Sequence, residues 1–483
     1  MDSTTAESHT VRFGRRQNRG LLLGFSGPRV AAIGAGLGVF VIGMFAAGVL
    51  GAIVTSPIWI GLIATAFVPW GGRAAIETAP VAAHFAGRRL AGQDRFHVKP
   101  SKPRPAGTMA LPGDAAALRF YRDESGAVMV HDPHQQTLTA VARMTHPAFV
   151  LLSPDNQRQR VFGWGKLLAG LAASGGCTRI QIMESAIPDS GRGITGWWQQ
   201  HRRLDRSPWA VAEYDELMQT AAPSASTHRS LVTLVLDLKE VSKQVREAGR
   251  GIAGAAAVLR QDMTAFESSA VAADLVPAGW LRDRELAKII RAAYDPVTAE
   301  RIDSWDVGLD ISTAGPVSVE EHWDHLRHDS GYSTVLWISE WPRIDVAPWF
   351  LHSLVFEQDV RKTLTIIATP LSTGQAMRDI RKQKVEYVTD AAQKAKIGQL
   401  ADLSDSQEYQ DVLDRERALV AGHADLKFSG FIAVTANDRD GLQAAVSRIE
   451  RAALRSGCET RILFGQQSQA FTVAALPLGR RAN

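Results

Sequence analysis

The run Val30–Val54, VAAIGAGLGVFVIGMFAAGVLGAIV, decides how the rest of the chain must be arranged. Its 25 residues carry no charge, and at about 1.5 Å per helical residue they suffice to cross roughly 30 Å of hydrocarbon. The uncharged stretch continues past it: no Lys, Arg, Asp or Glu occurs between Arg29 and Arg73. Its second part, Ile58–Val68, is short and lies between Pro57 and Pro69. It spans only if its neighbours contribute and the bilayer adapts; the alternative is a re-entrant segment. Trp59 and Trp70 bracket this part as interfacial anchors do, and Arg29 and Arg73 mark its charged borders. A turn is expected at Thr55-Ser56-Pro57. Gly34, Gly38, Gly43 and Gly48, the first two a small-xxx-small pair, are expected to allow close helix–helix contact, most simply between these two helices.

Charge supports a membrane location. Residues 1–107 hold twelve Lys/Arg against four acidic residues, a net of +8, which leaves −4 for the remainder of a +4 chain. Basicity beside an apolar segment suits anionic lipid headgroups, whereas a nucleic-acid-binding protein would carry the excess on its globular part. Direct nucleic-acid binding is therefore not expected. Arginines on both sides of the pair place both termini in the cytoplasm, in the inner or plasma membrane. A cleaved signal peptide is disfavoured by the length, the second apolar run and the lack of a convincing cleavage site. Two cysteines, Cys177 and Cys458, exclude a disulfide framework and read as small core residues.

The expected organisation is a basic N-terminus (1–29), a transmembrane helical hairpin (30–72) and a basic juxtamembrane segment with a Pro-rich linker (73–107). Two α+β regions follow, 108–330 and 331–483. The fold class is α+β, with a protruding helical pair over 373–426 that breaks near Leu403-Ser404-Asp405. A hairpin is expected at Leu118–Arg122 and Ala127–Asp132, and further strands at Phe149–Leu152, Arg179–Met183, Ser230–Leu238, Ser333–Ile338, Gly430–Ala436 and Arg461–Phe464. Helices are expected at Gln157–Ser174, Glu240–Ser269, Arg282–Ala293 and Gly441–Ser456, and a final strand at Gln469–Leu476. Gly176-Cys177-Thr178-Arg179-Ile180 is echoed by Gly457-Cys458-Glu459-Thr460-Arg461-Ile462. Two related halves would explain the echo, as would chance.

Motifs for chemistry are weak. Gly165-Lys166 is followed by Leu167, with Arg160 where a phosphate-binding loop needs its first glycine. Gly191-Arg192-Gly193-Ile194-Thr195-Gly196 fits G-x-G-x-x-G, but Pro188-Asp189-Ser190 precedes it and Trp197-Trp198 follow, so a loop leading into a helix is expected. His322, His325 and His328 at steps of three would spread over roughly 120° of a helix, poor geometry for one metal. His131 and His134 flank Pro133 in a loop. No G-x-S-x-G occurs, and the carboxylates of Asp402–Asp405 mark a helix boundary. No catalytic residue, cofactor or metal is expected. Trp341, Trp349 and Phe350, with Trp337, form an aromatic cluster that either packs internally or offers a partner surface.

Tyr332 to the C-terminus resembles the N-terminal, non-motor region of the conjugative ATPases of type IV secretion systems. The shared order is Glu340-Trp341-Pro342-Arg343, Pro348-Trp349-Phe350-Leu351, a charged helical pair, Gly430–Ala436, a helix and Gly457-Cys458-Glu459-Thr460. It closes on Gln467-Ser468-Gln469-Ala470-Phe471 and Leu476-Pro477-Leu478-Gly479. Leu478 departs from the family's Leu-Pro-Gly ending, and the motor is expected to be absent. Residues 20–100 are similar in architecture to the small PrgI-type membrane subunit of such systems. The resemblance implies a non-enzymatic, membrane-anchored scaffold that docks a separate cytoplasmic ATPase and other membrane subunits in an oligomeric assembly. The Ala/Arg/Gly-rich composition suits an actinobacterial source. The alternatives are an accessory membrane subunit of a type VII secretion system and a membrane-bound enzyme with an unrecognised site.

Overall fold

The computed structural model describes residues 25–99, 101, 107–145, 149–174, 176–188, 192–202, 207–221, 226–299, 309–342, 344, 346–371, 373–396, 403–420 and 425–481. The Pro-rich linker lies mostly outside them.

The apolar stretch forms α1 (Gly27–Val54) and α2 (Ser56–Phe67). α1 is the one described helix long and apolar enough to cross a membrane by length and composition, and only 17% of its most apolar window is buried. It is broken at Ala47 and Gly48, where φ reaches −145° and +61°. The break, and not Thr55-Ser56-Pro57, redirects the chain; Thr55 keeps helical dihedrals. A methyl group at Gly43 would meet Thr55 Oγ1 at 2.6 Å and the Gly51 carbonyl at 3.0 Å, contacts no straight helix could make. One at Gly36 would meet Ile63 at 2.7 Å and the Trp59 carbonyl at 3.0 Å, whereas Gly34 and Gly38 face open space. Of the expected glycines Gly43 lies at a close contact and the pair Gly34-xxx-Gly38 does not; Gly36, between those two, does.

A two-strand turn, β1 (Pro69–Trp70) and β2 (Arg73–Ala74), leads to α3 (Ala75–Leu90) and β3 (Arg95–His97). Next come β4 (Arg119–Arg122), β5 (Val128–Asp132), β6 (Thr137–Thr145), α4 (Pro154–Ser174) and β7 (Cys177–Pro188). A helical pair, α5 (Arg192–His201) and α6 (Pro208–Ala221), separates β7 from β8 (Ser226–Asp237). Then follow α7 (Ser242–Glu247), α8 (Gly251–Ala272), β9 (Val276–Trp280), α9 (Asp283–Tyr294) and α10 (Pro296–Ala299). The remainder comprises β10 (Ser318–Glu321), β11 (Leu326–His328), β12 (Gly331–Glu340), α11 (His352–Val355) and β13 (Arg361–Leu371). The last elements are α12 (Thr373–Lys396), α13 (Leu403–Val420), β14 (Asp425–Ala436), α14 (Arg439–Arg455), β15 (Glu459–Ile462) and α15 (Gln467–Ala474).

All strands but β1 and β2 join one sheet, ordered β3-β10-β11-β12-β14-β13-β7-β8-β6-β5-β4, with β15 on β12 and β9 on β6. β7 and β13 meet antiparallel at its centre, with Ile366 opposite Ile182. Leu231 turns to one face while Val232, Leu234 and Leu236 turn to the other, as strand alternation requires. On one face α4 and α8 cover β5–β8, and α11 and α14 cover β12–β14. The buried residues of α8 (Ala255, Val258, Leu259, Met263, Phe266, Ala270) follow the helical repeat. α14 starts cleanly because the Asp438 carboxylate accepts the Gly441 amide at 2.7 Å. On the other face α9 and α15 share one core drawn from both ends of the sheet.

The terminal segments cross over. Arg361, at the start of β13, donates to the carbonyls of Ala292 in the last turn of α9 and of Pro296 just beyond it, and His328 binds the Tyr294 carbonyl at 2.6 Å. In return the segment from α15 to Gly479 lies across β7 and β8. Gln181 donates to the Val473 and Leu476 carbonyls at 3.0 and 2.9 Å and accepts the Gly479 amide at 2.7 Å, while Arg179 binds the Gly479 carbonyl. Arg480 pairs with Asp132 at 3.0 Å.

Most expected elements stand, including the helical pair broken at Leu403 and the hairpin at 119–132. Four do not. Phe149–Leu151 is a 3-10 turn. Gln467–Ala474 is a helix, tied by Gln467 accepting the Val335 amide. His322, His325 and His328 lie on the β10–β11 hairpin, which a turn at Asp329-Ser330 joins to β12. The two Gly-Cys echoes head β7 and β15, strands with different places in the sheet, so the echo marks no common position.

Gly479 adopts φ +62°, and a methyl group there would meet Val235 at 2.3 Å. Gly479→Ala is expected to destabilise the protein by about 2 kcal/mol, read as a lowered midpoint of thermal unfolding in detergent, because both the left-handed backbone and the packing oppose it.

Candidate membrane junction and docking surfaces

Where the apolar helices end, the chain is riveted to the sheet. The turn Trp70-Gly71-Gly72-Arg73 needs positive φ at both central residues, and the two glycines take +62° and +77°. Trp70 stacks on Trp323 at 5.6 Å, Trp323 stacks on Phe464 at 5.9 Å, and Phe85 of α3 meets Trp323 edge-on at 5.4 Å. Beneath them Arg88 pairs with Glu321 at 2.7 Å and donates to the Gly465 carbonyl at 2.6 Å. The Glu321 side chain is 1% exposed, and its second oxygen accepts the Ser468 amide at the start of α15.

The two ends of the apolar stretch also meet. Phe25 packs edge-on against Phe67 at 5.8 Å, Arg29 pairs with Glu77 at 3.0 Å, and Ser26 donates to the same carboxylate. Of the four expected anchors, Arg29 is thus engaged and Arg73 is exposed. Trp70 serves as the first plate of the aromatic stack while staying 45% exposed. Trp59 is turned inward, donating to the Ala52 carbonyl at 3.1 Å and packing on Phe40 at 5.3 Å.

The expected partner surface is divided. Trp341 packs on Phe428 at 5.2 Å and on Phe350 at 6.4 Å, over Gly430, which has no side chain to obstruct it. Both rings are half-buried against the α11/α14 core, and Trp349 is exposed. The pair α12 and α13 closes on Ala376, Ile380, Val412 and Leu419, with Tyr387 stacked on Tyr409 at 4.5 Å, and leaves Val385, Val388 and Val420 exposed. The sequence reading expected the helix that is α5 and missed its partner α6. There Trp198 packs on Tyr214 at 4.6 Å and donates to Asp215 at 2.6 Å, and Trp209 is 74% exposed. The one local signal was Ser207-Pro208-Trp209, a helix start.

The groups inspected for chemistry do not converge. Gly165-Lys166 lies inside α4, with Lys166 over the Phe162 ring at 4.5 Å, and Arg160 is paired with Asp274 at 2.6 Å. Residue 191 of the G-x-G-x-x-G stretch lies outside the described residues, as do 189 and 190 before it, and the rest opens α5. His322 and His325 stack at 4.4 Å, and His325 bonds Asp324 at 2.8 Å. His328 turns into the core toward Ser333 at 2.7 Å, where burial lowers its pKa to about 4. His131 lies in β5, and burial lowers its pKa. No group of three His, Cys, Asp or Glu among the described residues could hold a metal. Cys177 and Cys458 are buried free thiols pushed up to about 12, a poor state for a nucleophile. Among the carboxyls Asp262 stands out: burial pushes it up to about 6, and one oxygen has no hydrogen-bond partner.

No protein-family model matches the chain, and no curated protein matches it as a relative.

Arg88→Met is expected to cost about 3 kcal/mol or more, since it strands Glu321 in the interior, whereas Arg88→Met/Glu321→Met should recover much of that loss. A double-mutant cycle on thermal unfolding measures both. A carboxyl held at about 6 when folded, against an ordinary 3.8, stabilises fully below pH 4 and loses that contribution as pH rises through 6. Asp262→Asn is therefore expected to gain stability relative to wild type at pH 8 and to show no such gain at pH 4, in parallel denaturation series.

Proposed function

We propose that this chain is a non-enzymatic, membrane-tethered scaffold of a type IV-like secretion or transfer apparatus. Its two apolar arms cross the bilayer as a hairpin, and its sheet, on the cytoplasmic side, docks a separate ATPase and sister membrane subunits. The observation that carries the reading is the joining of the two ends of an uncharged segment, through Phe25–Phe67 and Arg29–Glu77. With the break at Ala47–Gly48, the arms are 27–46 and 49–67. Each is about 20 residues and roughly 30 Å long, which matches the hydrocarbon thickness. Such arms leave apolar side chains such as Phe45 and Leu50 uncovered, a state suited to lipid and costly in water.

The body suits a docking role. Each helical pair leaves the sheet between strands already paired to each other, β7 with β8 and β13 with β14, so the pairs can vary without disturbing the core. The orders β4-β5-β6-β8-β7 and β10-β11-β12-β14-β13, each with a short strand on its third member, support reading the body as two related halves. That kinship rests on topology, and the Gly-Cys echo adds nothing to it. The order of features from Tyr332 onward, with its resemblance to the non-motor region of conjugative ATPases, supports the choice of apparatus.

Leu371 and Asp425 face each other in the β13–β14 register, so a short Asn-Gly turn can replace residues 372–424 and leave the sheet closed. The shortened protein is expected to stay in the membrane fraction and to lose co-purification with the secretion ATPase, identified by mass spectrometry. Co-purification retained would exclude α12 and α13 as the docking surface. Full-length protein dispersed freely without detergent would end the scaffold reading itself.

A further inference from the structure

At the base of the apolar helices two arginines from opposite ends of the chain come together. Arg73 closes the Trp70–Arg73 turn, and Arg461 lies in β15, opposite Trp337 of β12. Gly72 adjoins Arg461: a methyl group there would sit 3.6 Å from its Nε, in ordinary van der Waals contact. The Arg461 guanidinium lies 5.9 Å from the centre of the Trp337 ring. Burial and repulsion from Arg73 both lower the pKa of Arg461. Neither arginine has an ion-pair partner among the described residues, and the adjacent Glu77 is already taken by Arg29 and Ser26. Glu77, Glu340 and Glu459 act on Arg461 only at longer range. Arg73 and Arg461 thus bring two positive charges together without a contact-distance counter-ion among the described residues.

Its surroundings are those of an amphiphile's site. Phe67, Val68 and Trp70 are exposed next to the turn, so an apolar rim borders the cationic pair. A bare phosphate would use the arginines and leave this rim in water, while a phospholipid would use both. We propose that Arg73 and Arg461 bind the phosphate of one anionic phospholipid, whose acyl chains lie along α2 beside Phe67 and Val68. The inference rests on the membrane reading above and names the lipid class it favours. It also gives β15, far from the apolar segment in sequence, a place at the membrane surface.

Full-length protein reconstituted in nanodiscs of phosphatidylcholine with phosphatidylglycerol, then released into mild detergent for native mass spectrometry, tests it. Wild type is expected to retain one phosphatidylglycerol in preference to phosphatidylcholine. Arg73→Gln/Arg461→Gln is expected to reduce that preference by about tenfold or more, given two basic groups near the surface. Arg461→Lys, which keeps the charge, is expected to retain much of it and guards against a mere folding defect. Equal preference in wild type and the double variant overturns the site, and so does displacement of the lipid by inorganic phosphate at millimolar level. Protein that fails to enter the nanodisc at all would instead strike at the membrane reading, so the two failures are distinguishable.

Discussion

The helices α1 and α2 have little in the protein to be buried against except each other, and the rest of the architecture answers to that constraint. Their contact is built from the absence of side chains: Gly36 under Ile63 and the Trp59 carbonyl, Gly43 against Gly51. On the membrane reading proposed above, close approach of backbones is the packing available to helices that gain nothing from hiding apolar surface from apolar solvent. On the proposed reading, the reversal at Ala47–Gly48 sets where the chain turns in the membrane. The Arg29–Glu77 pair then holds both ends at one level.

A second consequence is mechanical. Between the Trp70 turn and the sheet there is no loose tether; a stack of three aromatic rings and a buried ion pair intervene. Glu321 links this junction to the start of α15, and the end of α15 is bound in turn by Gln181 and Thr365 from the centre of the sheet. Since Gln181 and Arg179 belong to β7 and Thr365 to β13, the segment from the junction to Gly479 spans the seam where the two strand series meet. A displacement of α1 and α2 relative to the sheet would have to break these bonds or be carried by them.

The fold class and most elements were legible because each is written in local periodicity. Ser230–Leu238 reads as a strand with little polar relief because it is buried on both faces, and the charged run after Thr373 reads as helix. Gln467–Ala474 was misread because QSQAFTVA is apolar enough for a strand, and only Gln467 bonding Val335 and Phe471 entering the shared core settle it as a helix. The histidines at 322, 325 and 328 have helical spacing, but Asp324 sits in the turn of a hairpin whose strands pair from Glu321 with Leu326 outward. The alternation Arg179-Ile180-Gln181-Ile182 is that of a strand with one wet face. That face is covered by a segment almost three hundred residues later.

By itself the sequence determined the uncharged length from Val30 to Gly72, the basic flanks and the α+β character. These properties depend on composition and on residues a few positions apart. Tertiary structure alone decided which glycines touch, that the chain reverses at Ala47–Gly48, that α5 has a helical partner in α6, and that Arg88 finds Glu321 while Arg461 finds Arg73. Such pairings join residues tens to hundreds of positions apart, and each is selected by the shape and charge left over once the sheet has closed. No local pattern carries that information, because the free energy that chooses the partner does not exist until the partner's own element is in place.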